Sequence, residues 1–465
     1  MQWLLSTRSS IGNLKERGEF AFLLLRIAKS ALLYATSLLV QIFLVKLFDP
    51  SVNASYQLSL KWISLVQLLF ISGYGLLVLN ASQHPERYQA LWKGYKSYQI
   101  FNIIIAAISL MALFGVGNAG VLGLGAGLSL PIVVMLSALV GATGEISSFR
   151  YALGDYVRYE YGSLMAAGLS TLSISFIVSF AKPWHIGSFL LGPSLLLATL
   201  APPALYNSCY LAFSSRGGSS RQAKSLIPAS LRLTKLSFKS SIPHVFHHVR
   251  CLTGRKSLIF KAKSFQALQA VAVISWGTDL LIVGALGSPS DVNHSSFAIS
   301  LFSFSTIVVS LYSQRLQIFY SDSASRGVLF SFIGPKASHC ILAAIPALSI
   351  YAATLLARLF VPSLSGMIGS HLLVSTVALA TLISQVASLQ GIYLNAANKP
   401  GRQVLNNLLF LIPANLFLSV AMYPVMGPPG VFTATIITLL LSTAVNTAMV
   451  RSHANACHRS LVTSP

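Results

Sequence analysis

Apolar residues fall in runs of about 20, the length that crosses a bilayer as a helix, separated by short polar stretches. Hydropathy predicts helices near Ala28 to Phe48, Leu58 to Leu79, Gln99 to Val116, Gly127 to Ile146, Tyr161 to Phe180 and Ile186 to Phe213. A second group follows near Phe265 to Leu286, Ser296 to Leu316, Ser338 to Val361, Met367 to Ile392, Val404 to Val425 and Gly430 to Val450. The Gly-rich segment Gly115 to Gly127 reads either as a turn between two helices or as part of one longer, bent helix. The first apolar stretch, Phe20 to Phe48, is too long for a cleavable signal and reads as a retained helix.

The predicted architecture is an all-α integral membrane fold of about twelve transmembrane helices in two six-helix lobes. Its divisions are a cytoplasmic N-terminal segment (1–27), a first lobe (28–213), a basic linker (214–263), a second lobe (264–450) and a cytoplasmic tail (451–465).

Loop charges test this plan. The loops Asp49 to Gln57, Asn118 to Ala126, Gly287 to Ser295 and Met426 to Pro429 hold no Lys or Arg, and Ala181 to His185 holds only Lys182. The alternate loops carry Arg87, Lys93 and Lys96, then Arg150 and Arg158, then Arg326 and Lys336, then Lys399 and Arg402. Positive charge marks the cytoplasmic side, so both termini are expected in the cytoplasm.

Composition removes the soluble alternatives. Only 9% of the 465 residues are charged and 54% are hydrophobic, against about 25% charged in an ordinary soluble domain. A net charge of +22 in a soluble chain would point to nucleic acid. Here the basic residues concentrate in inward loops, so no nucleic-acid partner is expected. The central segment Ser214 to Lys263 has eleven Lys and Arg and no acid, interleaved with Leu226, Leu231, Leu233, Leu236 and Phe238. It reads as an orientation determinant and tether, or as a segment lying on anionic lipids. Cys209, Cys251, Cys340 and Cys457 all fall on the cytoplasmic side of this plan, where structural disulfides are not expected.

A faint repeat joins the two groups: VKLFDPSVNASY (Val45 to Tyr56) beside VGALGSPSDVNHSSF (Val283 to Phe297). Each links the first two helices of its group, as expected of duplicated lobes related by an axis along the membrane normal with a cleft between them.

Ionisable groups inside spans are costly and few, and each needs a reason. Lys46 and Lys61 flank the first outward loop, Arg358 lies near another outward end, and Arg26, Lys29, Glu145 and Arg315 lie towards cytoplasmic ends. Each reads as a snorkelling side chain or as a cavity charge. Asp279, about fourteen residues into the seventh helix, has three open readings: an ion-coupling or proton site, with Glu145 as the second candidate, a partner for a cavity lysine, or an acceptor binding helices together. Polar stripes run through Lys61, Ser64, Ser72 and Gly75; Ser296, Ser300, Ser303, Ser310 and Gln314; Ser37 and Gln41; Ser384, Gln385 and Ser388; and Thr435, Thr438, Ser442 and Asn446. They read either as wet cavity faces or as small polar packing between helices. No P-loop, HExxH or convergent carboxylate pair occurs. A transporter is therefore expected, not an enzyme, with neither cofactor nor metal.

The ordered motifs resemble the polysaccharide repeat-unit flippases, the Wzx type, of the multidrug/oligosaccharidyl-lipid/polysaccharide (MOP) exporter superfamily, over nearly the whole chain. LVKLFDPSVNASY (Leu44 to Tyr56) is similar to that family's first turn, ISGYG (Ile71 to Gly75) to the helix that follows, and TDLLIVGAL (Thr278 to Leu286) to its Asp-containing second-lobe start. Where the family commonly carries a basic residue after that Asp, this chain has Leu280.

The resemblance implies a V-shaped bundle that moves an undecaprenyl-diphosphate-linked oligosaccharide across the inner membrane by alternating access. The product would be O-antigen, capsule or exopolysaccharide. Such a cargo needs cations for its diphosphate and a hydrogen-bonding groove for its glycan. Lys29, Lys46, Lys61 and Arg315 are the candidate cations; Ser64, Ser303, Ser310, Gln314 and Trp276 are candidate groove residues, with Trp62 and Tyr74 as further aromatics. Polysaccharide-assembly proteins are possible partners. The alternatives are a cation-coupled multidrug antiporter of the same superfamily and a membrane polysaccharide polymerase or ligase.

Overall fold

The computed structural model describes residues 19–80, 130–181 apart from 144, 154 and 155, 188–213, 256–307, 337–361, 366–396 and 400–462, with parts of 91–109 and 309–317. All regular structure among these residues is helical. The first half of the chain provides α1 (Glu19–Leu47), α2 (Pro50–Gln67), α3 (Tyr74–Asn80), α4 (Leu130–Thr143), α5 (Ile146–Leu153), α6 (Tyr156–Ala181) and α7 (Ser188–Phe213). The second provides α8 (Lys256–Leu286), α9 (Pro289–Ser303), α10 (Ala337–Phe360), α11 (His371–Ala396), α12 (Pro400–Asn406), α13 (Ile412–Met426) and α14 (Pro428–Val462).

Six helical stretches among the described residues are long and apolar enough to cross a membrane: Leu24–Leu47, Tyr159–Phe180, Ala343–Phe360, His371–Leu389, Gln403–Met426 and Pro428–Ser452. Leu359, Phe360, Phe417 and Val425 are each at least 74% exposed. Large apolar side chains left bare in such numbers belong to a surface solvated by lipid rather than water.

Predicted helices that proved discontinuous are the main corrections. The second, near Leu58 to Leu79, is two helices: α2 ends at Gln67 in a tightened turn, and α3 restarts after Gly73, whose φ of 74° suits glycine. The fourth stops at Thr143, with Glu145 in the turn before α5. The eighth ends its first helix at Ser303. The eleventh, by contrast, is continuous: α12 passes through a π-helical turn at Asn407–Leu411 into α13. Two stretches read as outward loops also begin as helix. α2 starts at Pro50 behind the capping carboxylate of Asp49, and α9 starts at Pro289 behind a Ser288–Asp291 capping box. α8 begins at Lys256, inside the stretch read as linker; residues 214–255 lie outside the described residues.

Within the first half α1 packs on α6, α6 on α7 and α2 on α4; within the second α11 and α13 both pack on α14. A dry cluster of Val40, Leu44, Ile63, Leu136, Leu191 and Leu195 fills the first half, and Phe297, Phe302, Val374, Val377 and Phe432 fill the second. The halves meet where α2 touches α8 and α9, where α1 touches α9, and where α3 touches α8. At the α2–α8 contact a Cβ on Gly284 would lie 2.6 Å from Leu58 Cδ2, so only glycine admits this approach without a shift.

Candidate functional site

A cavity of about 400 Å³ lies between the halves, walled by α1, α2, α8 and α9. Ser30, Tyr34 and Ser37 face it from α1, Gln57, Lys61 and Ser64 from α2, Leu280 from α8, and Ser296, Ser300 and Ser303 from α9. A second cavity of about 260 Å³ shares Lys61, Ile299 and Ser303 with the first and extends into the second half past Asp279, Thr306, Thr381, Ser384 and Phe432. Lys61 therefore stands on the wall common to both.

The lining has a definite hydrogen-bonding polarity. Ser64, Ser303, Thr306 and Thr381 donate their hydroxyl protons to backbone carbonyls three or four residues earlier in the chain, at 2.9, 2.7, 2.7 and 2.8 Å. Their oxygens remain as acceptors. Donors come from the Lys61 ammonium and from the buried Gln57 amide, whose Nε2 has no partner among the described residues. The space is thus equipped both for a cargo's hydroxyl protons and for its anionic oxygens.

Asp279 is 1% exposed and accepts from Asn415 Nδ2 at 3.0 Å and Thr435 Oγ1 at 2.8 Å. Thr435 also contacts Asn415 Oδ1 at 3.1 Å, with Ser419 at 3.4 Å. Three helices, α8, α13 and α14, thus close one network around a single carboxylate. Burying an ionised carboxylate without such donors would cost several kcal/mol. Lys61 and Asp279 line the same cavity without a direct ion pair.

The remaining predicted residues separate. Lys29 lies in an ion pair with Glu160, Nζ to Oε2 at 2.5 Å, joining α1 to α6. It lines neither cavity. Lys46 is exposed near the end of α1, away from both. Glu145 is buried beside the break between α2 and α3, where the Ser72 hydroxyl donates to it and the backbone N–H groups of Ser72, Gly73 and Gly75 face it. A Cβ at Gly75 would lie 2.8 Å from Glu145 Cβ, so the final glycine of ISGYG makes room for this carboxylate. Ser310, Gln314 and Arg315 lie outside the described residues, as does the side chain of Trp276.

Sequence reasoning missed Glu160, Asn415, Gln57 and Thr381. Asn415 carried the clearest signal, a lone amide in the apolar run IPANLFL.

No protein-family model and no curated protein matches this chain. Solved structures do, at low identity. An outward-facing multidrug resistance MATE family transporter of the MOP superfamily is 12% identical, with TM-score 0.57, covering 95% of this chain and 96% of that one. A MOP superfamily transporter from Pyrococcus furiosus, described as having a binding pocket of reverse polarity, is 11% identical at TM-score 0.59, over 94% and 96%. A MATE transporter mutant from Vibrio cholerae is 12% identical at TM-score 0.56, over 96% and 98%. The chain shares the fold of these transporters along nearly its whole length.

Proposed function

We propose that this chain is a multi-pass transporter of the inner membrane that works by alternating access, with about twelve transmembrane helices in two lobes joined by a basic linker and both termini in the cytoplasm. Its cargo is an undecaprenyl-diphosphate-linked oligosaccharide, flipped towards the periplasmic leaflet for surface polysaccharide synthesis. Anionic lipids contact the linker, and polysaccharide-assembly proteins receive the product.

The observation that carries the reading is Lys61, an ammonium on the wall shared by two cavities whose other polar groups are mostly hydroxyl oxygens. A diphosphate accepts from an ammonium, while sugar hydroxyls donate to serine and threonine oxygens. One cargo satisfies both halves of that pattern, and its prenyl chain can remain in lipid. A cationic drug would instead meet Lys61 as a like charge.

The test is flipping of a fluorescent undecaprenyl-diphosphate-linked saccharide in proteoliposomes. Lys61→Ala is expected to abolish it and Lys61→Arg to retain much of it; full flipping by Lys61→Ala would overturn the proposal.

A cation-coupled multidrug antiporter is the second reading, favoured by the Asp279 carboxylate on the wall of the smaller cavity. Efflux of a cationic dye that disappears in Asp279→Asn but survives in Lys61→Ala would select it.

A further inference from the structure

The repeated segments of the two halves meet each other. Setting Val52-Asn53 beside Val292-Asn293 matches the repeat, and each Asn lies in the first turns of a helix that opens with proline behind a capping side chain. In the structure Asn53 Nδ2 donates to Asn293 Oδ1 at 2.9 Å, and Asn293 Nδ2 donates to Pro50 O at 2.9 Å. Two copies of one segment thus form a near-self-complementary contact, the arrangement a two-fold axis produces.

Both amides are buried, at 1% and 8% exposure. Ala54 and Val292 pack beside them with Leu280, Val283 and Val431, and partly buried Leu58 joins the cluster. One level further along, Gln41 Nε2 donates to Ser300 Oγ at 2.7 Å, again bridging the halves. Ser300 is already part of the cavity lining. The amide pair therefore caps the cavity at the end where α1 stops and α2 begins, which the loop charges assign to the outside.

The clasp is also incompletely satisfied. Asn53 Oδ1 is buried with no partner among the described residues. An unsatisfied buried carbonyl raises the energy of the closed arrangement. A permanent seam has no use for that cost, whereas a joint that must open repeatedly needs closed and open states of similar energy.

We infer that Asn53 and Asn293 form the outward gate of the transport cavity, a clasp built from the two copies of the repeated segment that parts when cargo leaves. The inference rests on the alternating-access reading above, and its test needs no knowledge of the cargo.

With Cys209, Cys251, Cys340 and Cys457 replaced by Ser, Ser37→Cys places one thiol in the cavity lining. A membrane-impermeant maleimide is then applied to vesicles of either orientation. With the clasp intact, labelling from the outward face is expected to be slow. Asn53→Asp/Asn293→Asp sets two like charges against each other and should raise that rate about tenfold or more. Asn53→Asp/Asn293→Lys should return it to the intact level.

An unchanged rate in the Asp/Asp variant, or no return in the Asp/Lys variant, overturns the gate while leaving transport standing. A thiol that no variant exposes from either face would instead sink the alternating-access reading itself. Should the Asp/Asp protein fail to insert, Asn53→Cys/Asn293→Cys decides the matter. An oxidative crosslink that stops the maleimide on the outward face from labelling the Ser37→Cys thiol, reversed by reductant, supports the gate; labelling at the uncrosslinked rate overturns it.

Discussion

Two lysine–carboxylate couples lie among the helices, and they solve the problem of a buried charge in opposite ways. Lys29 and Glu160 touch, within the first half, across the seam of α1 and α6. Lys61 and Asp279 come from different halves and face one cavity without pairing; Asp279 is instead held by Asn415 and Thr435. Contact consumes both charges of the first couple and makes it a fastener. Separation leaves the Lys61 ammonium available to a ligand, while neutral donors satisfy Asp279.

The comparison breaks first at Glu160. Removing one member of a buried ion pair strands the other, so Glu160→Ala should destabilise the protein by about 3–5 kcal/mol, read as a large fall in thermal unfolding temperature in detergent. Replacing both partners, Lys29→Met/Glu160→Leu, should recover most of that loss. A double variant as unstable as the single one would mean that the pair has a role beyond fastening.

A smaller effect is expected at Asp279. Asp279→Leu orphans the Asn415 Nδ2 donor, which costs about 1–3 kcal/mol, while Thr435 can still donate to Asn415 Oδ1 or Val431 O; Asp279→Asn keeps an acceptor for Asn415 and should cost less. Equal melting temperatures for Leu and Asn would show that the network contributes nothing.

The lysines sharpen the contrast from below. Lys61→Ala removes an ammonium on the cavity wall that has no ion pair among the described residues, so it should not lower stability, while function is lost. Lys46→Ala, on an exposed side chain away from the cavities, should alter neither flipping nor melting. Loss of flipping in Lys46→Ala would extend the cationic path to the outward rim.

What the sequence made legible follows from range. α6, α7, α10 and α11 correspond closely to apolar runs because a span is a local property of about 20 residues, whereas α14 continues past its predicted end at Val450 to Val462. Breaks within spans escaped, since Leu68, Leu69 and Phe70 keep hydropathy high through the turn between α2 and α3. Ser72 and Gly73 were the available warning. The π-helical turn at Asn407–Leu411 has no comparable signature in NLLFL.

At the site, Lys61, Ser64 and Ser303 stood out as polar positions in apolar helices, and the structure brings them to one wall. The Lys29–Glu160 contact spans 131 residues of sequence and could not be read locally. Nor could the identity of the groups that hold Asp279, because Asn415 and Thr435 lie on helices far along the chain. The repeat around Asn53 and Asn293 was visible, but only the folded chain reveals that its copies touch.

The last helix has a consequence of its own. α14 runs unbroken for 35 residues, about 52 Å at a rise of 1.5 Å per residue, against a hydrocarbon core of about 30 Å. Roughly 20 Å of it stands clear of the hydrocarbon core as a stiff mast. A change in helix tilt of about 20° would swing its tip by about 7 Å, so a spectroscopic probe near residue 460 would test the proposed alternating access from well beyond the cavity.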